Sequence, residues 1–236
     1  MKERIQKIMA QSGLCSRRAA EQIIRDGGVT VNGRPAGLGD SADPVRDKIL
    51  VNGKPLRRAE EKVYLMLNKP RGYVSTLKDE RGRKTVRQLV EGCHARVYPD
   101  GRLDADSEGL LLMTNDGELT LHLTHPSHEA GKTYLVSVRG DLRRLSGLEQ
   151  PMDIDGYTVQ PAKVYIRDQA SDTEAHIEMT IHEGRNRQIR KMCEKCGLEV
   201  RRLKRIAVGE LMLDPKLAPG KWRALTPEEI AYLKEF

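Results

Sequence analysis

Pro99-Asp100-Gly101-Arg102-Leu103-Asp104 leads, through Ala105-Asp106-Ser107-Glu108, into Gly109-Leu110-Leu111-Leu112-Met113-Thr114-Asn115-Asp116-Gly117. Pro, Asp and Gly mark a turn. The apolar run after it, bounded by turn residues, has the length of a buried strand. The turn delivers Arg102 and Asp104 at the edge of a core, with a rigid strand behind to hold the carboxylate still, as catalysis requires. Outward from this stretch, strands are interspersed with only short helices. Val63, Leu65 and Leu67 alternate with Tyr64, Met66 and Asn68 in a strand that Lys69-Pro70-Arg71-Gly72 ends. Residues 133–138, 159–166 and 176–181 read as further strands. In the last, Ile177, Met179 and Ile181 face in while His176, Glu178 and Thr180 face out. Short helices are expected over 85–90, over 116–122 with Asn115 as cap and Glu118 completing a capping box, and after Thr226-Pro227-Glu228-Glu229. The pattern predicts an α+β domain built on a mixed, largely antiparallel sheet.

Residues 1–60 read as a smaller unit. Ile5, Ile8 and Met9 have helical spacing that Ser12-Gly13 ends. Ser16 caps a second helix over 17–26, with Ala19, Ala20, Ile23 and Ile24 as its apolar stripe and Gly27-Gly28 as its stop. Val29-Thr30-Val31 and Ile49-Leu50-Val51 are short strands, with turns at Asn32-Gly33 and Asn52-Gly53. Such a short segment buries a thin core. Arg57-Arg58-Ala59-Glu60-Glu61 is charged and aperiodic and is placed as the linker, which makes 61–236 the second domain. His125-Pro126-Ser127-His128 reads as loop, because proline interrupts any helical face.

The chain carries 41 Lys and Arg against 34 Asp and Glu, a net charge of +7. Residues 185–205 hold nine basic side chains and two acidic ones, and residues 1–60 hold twelve and seven, so the remainder is acidic on balance. Charge concentrated in two places points to two contact surfaces for a polyanion. No stretch approaches the roughly 20 apolar residues of a membrane span, and Met1-Lys2-Glu3-Arg4-Ile5 does not open a signal peptide, so a cytoplasmic location is expected. The four cysteines (Cys15, Cys93, Cys193 and Cys196) are too sparse for a disulfide scaffold and read as reduced thiols. Cys193-Glu194-Lys195-Cys196 lacks the second ligand pair of a structural zinc site, so no metal is expected, and without a Gly-rich phosphate loop or ligand cluster no cofactor is expected either.

Residues 186–196 form the clearest helix. Ile189, Met192, Cys193 and Cys196 fall at i, i+3, i+4 and i+7, which turns both thiols toward the core. Arg187 and Lys191 lie nearly opposite that stripe, and Arg190 lies on its flank, about 100° from Ile189. A flanking, half-buried guanidinium is well placed to meet a sheltered carboxylate. Arg201, Arg202, Lys204 and Arg205 follow on a strand.

In combination, Gly101-Arg102-Leu103-Asp104, the run 109–117, Lys132-Thr133-Tyr134 and Gly184-Arg185-Asn186-Arg187-Gln188-Ile189-Arg190 closely resemble the bacterial ribosomal RNA pseudouridine synthases of the RsuA/RluB type. The likeness extends from about Glu3 to about Ile230. The first 60 residues, two helices and a small sheet with Arg17, Arg18 and Arg25 on the helix surface, resemble the alpha-L RNA-binding domain of a small-subunit ribosomal protein. Ser107-Glu108 departs from the threonine and small residue of many relatives and leaves Asp104 untouched.

The resemblance implies isomerisation of one uridine in ribosomal RNA, without cofactor, by a monomer acting on the RNA or an assembling subunit. It implies Asp104 as the catalytic carboxylate, either as nucleophile at the anomeric carbon or as the base that removes a ribose proton. It implies Tyr134 stacked on a flipped base, Arg102 filling the space that base leaves or holding a phosphate, and an arginine paired with Asp104. Arg190 is expected in that role, with Arg187 as the alternative, since a planar fork matches a carboxylate as lysine cannot. Arg17, Arg18, Arg25, Arg185, Arg187, Lys191, Lys204 and Arg205 are expected to contact RNA. Two rival readings are a ribosomal-RNA-binding assembly factor without catalysis and a glycosylase that releases uracil. A pure binder has no use for a carboxylate in a basic cleft.

Overall fold

Residues 1–124 and 130–235 are described by the structure, a computed structural model of the chain; His125-Pro126-Ser127-His128 lie outside the described residues. Met1–Val63 with His94–Arg96 form one compact unit, and Tyr64–Cys93 with the chain from Val97 onward form another. In the first, Ser16 Oγ accepts the Ala19 amide (3.1 Å) and starts helix α2 (Arg17–Arg25), which follows α1 (Ile5–Gln11). The strands are β1 (Glu3–Arg4), β2 (Val29–Val31), β3 (Arg34–Pro35), β4 (Ser41–Ala42), β5 (Ile49–Val51) and β6 (Lys54–Pro55). They pair as β1–β4 and as a sheet ordered β3-β2-β5-β6. Both two-residue turns of that sheet are left-handed, at Asn32 (φ 51°) and Gly33 (81°) and at Asn52 (49°) and Gly53 (76°). That is the backbone a tight hairpin needs and Asn-Gly tolerates. Ile5, Ile8 and Met9 pack with Ala20, Ile24, Val29, Ile49 and Val51, whereas Ala19 stays exposed. The expected linker is tied down at Glu60, whose amide donates to Gln11 O (2.9 Å).

The second unit begins with β7 (Tyr64–Lys69), β8 (Tyr98–Asp100), β9 (Glu108–Thr114) and α3 (Gly117–Thr124). It continues with β10 (Lys132–Gly140), β11 (Met152–Ile154), β12 (Tyr157–Val159), β13 (Lys163–Ser171), β14 (Glu174–Ile181) and α4 (Gln188–Lys195). It closes with β15 (Leu198–Val208), β16 (Leu211–Met212), β17 (Trp222–Ala224) and α5 (Pro227–Lys234). The main sheet has nine strands in the order β13-β14-β10-β15-β9-β7-β17, with β8 on β9 and β16 on β15. Every pair is antiparallel except β15–β9. The α+β, largely antiparallel expectation holds.

Met66, Leu110 and Leu112 pack with Leu119, Leu123 and Leu233 from α3 and α5, while Leu65, Leu67, Leu111 and Met113 are buried as well. The central strands are thus covered on both faces, which is why they read as unbroken apolar runs. Two expectations need correction. The strand read over 159–166 is two strands, because β12 ends at Val159 in a hairpin of its own with β11 before β13 starts at Lys163. The cap of α3 is Asp116, not Asn115: its buried carboxylate accepts the Glu118 amide (3.1 Å) and the Tyr64 hydroxyl (2.8 Å) together. Among the described residues, no helix is long and apolar enough to cross a membrane.

Parallel pairing brings Gly109 of β9 against Arg205 of β15. A Cβ on Gly109, whose φ is 103°, would lie 2.2 Å from the Arg205 carbonyl oxygen. Gly109→Ala is therefore expected to lose about 3 kcal/mol or more of stability, combining overpacking with a backbone conformation closed to alanine. Urea unfolding checks this, and the soluble yield should fall with it.

Candidate active site

The loop between β8 and β9 turns at Gly101 (φ 67°) and is then clamped from behind. Ser75 Oγ accepts the Leu103 amide (3.1 Å) and donates to the Leu103 carbonyl (2.7 Å). The Gly72 amide donates to Ala105 O (2.6 Å). Lys69, the last residue of β7, is fully buried. Its Nζ donates to Pro70 O (3.2 Å), Asp104 O (2.9 Å) and Ser107 O (2.7 Å), so one ammonium gathers both ends of the 104–107 turn. Burial pulls the Lys69 pKa from 10.5 down to about 8, against the opposing pull of Asp104, Asp106 and Glu108. Neither Lys69 nor Ser75 was legible as a site residue. The one available signal was a lysine closing a strand that is otherwise apolar.

Held this way, the Asp104 side chain remains 30% exposed. It lines two clefts. One, of about 180 Å³, is walled by Tyr134, Ile181, Ile189 and Leu203 and rimmed by Arg102, Arg185 and Arg187. The other, of about 820 Å³, runs along residues 74–83 and also includes Arg102, Asp106 and Arg187. Tyr134 is buried on β10, paired with Met179 on one side and Arg205 on the other. The structure thus brings Asp104, Tyr134 and Arg102 to one place.

The arginines differ from expectation. Helix α4 starts at Gln188, and Arg187 precedes it in a left-handed conformation (φ 52°), so the helical wheel does not apply to Arg187. Gln188 Oε1 accepts the Arg185 amide (3.0 Å) and fixes this entry. Released from the helix, Arg187 Nη1 reaches both Asp106 oxygens (3.1 Å each) and comes within 3.8 Å of Asp104 Oδ2. Arg190 donates to the Asp106 carbonyl (3.1 Å) and the Val200 carbonyl (3.2 Å), and its Nε lies 3.3 Å from Asp106 Oδ2. The carboxylate that Arg190 meets is therefore Asp106, and the arginine beside Asp104 is Arg187.

Arg205, expected on an RNA-facing surface, is only 4% exposed and donates to Leu110 O (2.7 Å). It crosses the close β15–β9 contact and cannot offer its charge to a ligand. Its charge and that of Lys132 act on Asp100, whose carboxyl burial nevertheless pushes up to about 6. Lys191 pairs with Asp155 (2.5 Å). Lys204 is half-buried; Arg185, Arg17, Arg18 and Arg25 are exposed. Cys193 is buried, and burial raises its thiol pKa to about 12, far from a reactive thiolate.

Residues 63–195 match the model of the RNA pseudouridylate synthase family, and residues 3–41 match that of the S4 domain. The chain is 43% identical to the ribosomal large subunit pseudouridine synthase B of Bacillus subtilis, across 98% of this chain and 96% of that protein. The chain belongs to the RNA pseudouridylate synthase family. A second synthase, an uncharacterized RNA pseudouridine synthase of Aquifex aeolicus, is 40% identical over 99% of the chain and 94% of its own length. A crystal structure of a pseudouridylate synthase superposes with a TM-score of 0.67 at 31% identity, covering 98% of this chain and 99% of the other. As a pseudouridylate synthase the enzyme is an isomerase, and the clamped turn 101–107 lies wholly inside the segment its family model matches.

Lys69→Met would leave the Pro70, Asp104 and Ser107 carbonyls without their shared donor in the core. It is expected to cost about 3 kcal/mol or more in chemical unfolding. The Lys69 ionisation also has a signature of its own. Between pH about 8 and 10.5 the unfolded chain keeps the proton that the folded chain releases, so the stability of the wild type relative to Lys69→Met should rise across that window.

Proposed function

We propose that this enzyme converts a uridine of ribosomal RNA to pseudouridine with Asp104 as the acting carboxylate. The observation that carries this reading is that Asp104 is shared by both clefts on a turn whose backbone is clamped by Lys69 and Ser75. The reaction breaks the bond from ribose to N1 of uracil, turns the base, joins ribose to C5, releases the C5 proton and places a proton on N1, so nothing is gained or lost overall. Asp104 either attacks the anomeric carbon or removes a ribose proton to expel the base, and both routes use the ionised carboxylate. Arg187 Nη1 lies 3.8 Å from Asp104 Oδ2, a guanidinium beside the acting carboxylate. Asp106 and Arg190 behind it hold Arg187 in place, which makes Arg190 a positioning residue.

Uracil stacked within RNA is out of reach, so the target must be flipped into the smaller cleft. There Tyr134 offers a ring to the base and Arg102 sits where the base has left the stack. Ribosomal RNA as substrate is supported by the Bacillus subtilis relative, whose name assigns it to the large subunit, and by the S4 match. The exposed Arg17, Arg18 and Arg25 suit phosphate contact by the first unit, and the enzyme acts as a cytoplasmic monomer.

Asp104→Asn preserves size and removes the charge. Pseudouridine formation should fall by more than 10²-fold while RNA affinity changes little, and a loss within about tenfold would remove Asp104 from the role. Pseudouridine mapping of ribosomal RNA from cells with and without the gene identifies the site. A chain beginning at Lys62 should bind RNA about 10²-fold more weakly yet keep its single-turnover rate at saturating RNA, because a tethered second module acts through effective concentration. A collapsed rate at saturation would place the first unit in catalysis instead.

A further inference from the structure

Beside the smaller cleft stands a hairpin that the reaction as described does not use. Strands β11 and β12 are joined by Asp155 (φ 55°) and Gly156 (77°), a left-handed two-residue turn. Two lysines of α4 bind it: Lys191 pairs with Asp155 (2.5 Å), and Lys195 Nζ donates to the Asp153 carbonyl. Just after the hairpin, the Gln160 amide donates to Glu183 Oε1 (2.5 Å), and Glu183 Oε2 lies 3.9 Å from Arg185 Nε. These contacts bring Tyr157 to Arg185, whose guanidinium carbon sits 3.2 Å from the centre of the ring. Both partners remain open to solvent: Tyr157 is 41% exposed and the Arg185 side chain 47%. Arg185 also rims the cleft that holds Asp104 and Tyr134.

An exposed cation–π contact is weak, and ordering a long side chain such as arginine costs as much as the contact returns or more. The stack alone therefore does not account for a hairpin fastened to α4 by two lysines. A guanidinium lying on one aromatic ring still has a second planar face and five N–H donors, a surface suited to a nucleobase and its phosphate. Flipping the target uridine leaves its neighbour in the strand without a stacking partner.

We infer that Tyr157 and Arg185 form a stacking subsite for the base of a nucleotide flanking the target uridine. The subsite touches no reacting atom; it selects and holds substrate. This inference rests on the reaction proposed above, and its test separates the two.

The full-length enzyme is titrated with a ten-nucleotide oligouridylate and with an abasic ribose-phosphate chain of the same length and charge. Tyr157→Ala should weaken binding of the oligouridylate roughly tenfold or more, leave the abasic chain unaffected, and be rescued by Tyr157→Phe. Tyr157→Leu, which keeps apolar bulk for the hairpin, should behave like the alanine variant. With ribosomal RNA, Tyr157→Ala should raise the RNA concentration at half-maximal rate and preserve the single-turnover rate at saturation. Unchanged oligouridylate affinity overturns the inference, as does equal weakening for both chains, which would make Tyr157 only a prop for an Arg185–phosphate contact. A saturating rate that falls with unchanged half-saturation overturns it too. If the wild type forms no pseudouridine while the binding results hold, the reaction is what fails and the base subsite stands.

Discussion

A lysine ammonium with no exposure to water is tolerable only where its three protons meet acceptors and its charge meets opposite charge. At Lys69 the acceptors are the Pro70, Asp104 and Ser107 carbonyls, and the charge is answered by Asp104, Asp106 and Glu108. That requirement draws the chain after β8 into a turn around one nitrogen and sets where β9 begins. From there Gly109 passes close enough to β15 for parallel pairing, and Arg205 reaches across to Leu110. The clamped turn and the half-buried presentation of the Asp104 side chain thus depend on satisfying one buried cation. The arrangement holds one carboxylate still at the edge of two clefts, as the role proposed for Asp104 needs.

The arginines around Asp104 are organised by Asp106. It accepts from Arg187 through its carboxylate and from Arg190 through its carbonyl, so the two guanidinium groups are fixed relative to each other. Arg187 adopts a left-handed backbone to make this contact, a strain of the kind that collects at functional sites. Arg190 Nε keeps no well-formed hydrogen bond in its buried position, which also fits a side chain held by its neighbours rather than by its own preferences.

The basic segment 185–205 is largely paired within the protein, for Arg187, Arg201 and Arg202 at its surface. Arg187 and Arg190 go to Asp106, Lys191 to Asp155, Arg201 to Glu199, Arg202 to Glu108 and Arg205 to Leu110 O. A local surplus of charge in a sequence is therefore a poor measure of the charge that a ligand meets. What remains exposed around the cleft is a smaller set, Arg102 and Arg185 with part of Arg187, and this favours shape and stacking over a broad electrostatic surface.

Features legible in the chain alone were those set by neighbours within a few residues. Asn32-Gly33 and Asn52-Gly53 specify their turns because few other pairs accept two left-handed residues in succession. Ser16 and Thr226 start helices because the side chain and the amide it caps are three residues apart. The alternation in β7 and β14 and the apolar run of β9 announce strands, and the turn before β9 announces Asp104. The partners of charge were not legible. Lys69 and the Asp104 carbonyl are 35 residues apart, Arg187 and Asp106 81, and Arg190 and the Asp106 carbonyl 84. No period relates such positions; they meet only because β7, β9 and β15 lie side by side. Burial of Arg205, the exchange of Asp104 for Asp106 opposite Arg190, and the stacking of Arg185 on Tyr157 are consequences of that packing. Local pattern decides which segments form and which side chain a turn presents, and strand pairing decides which distant charge it finds there.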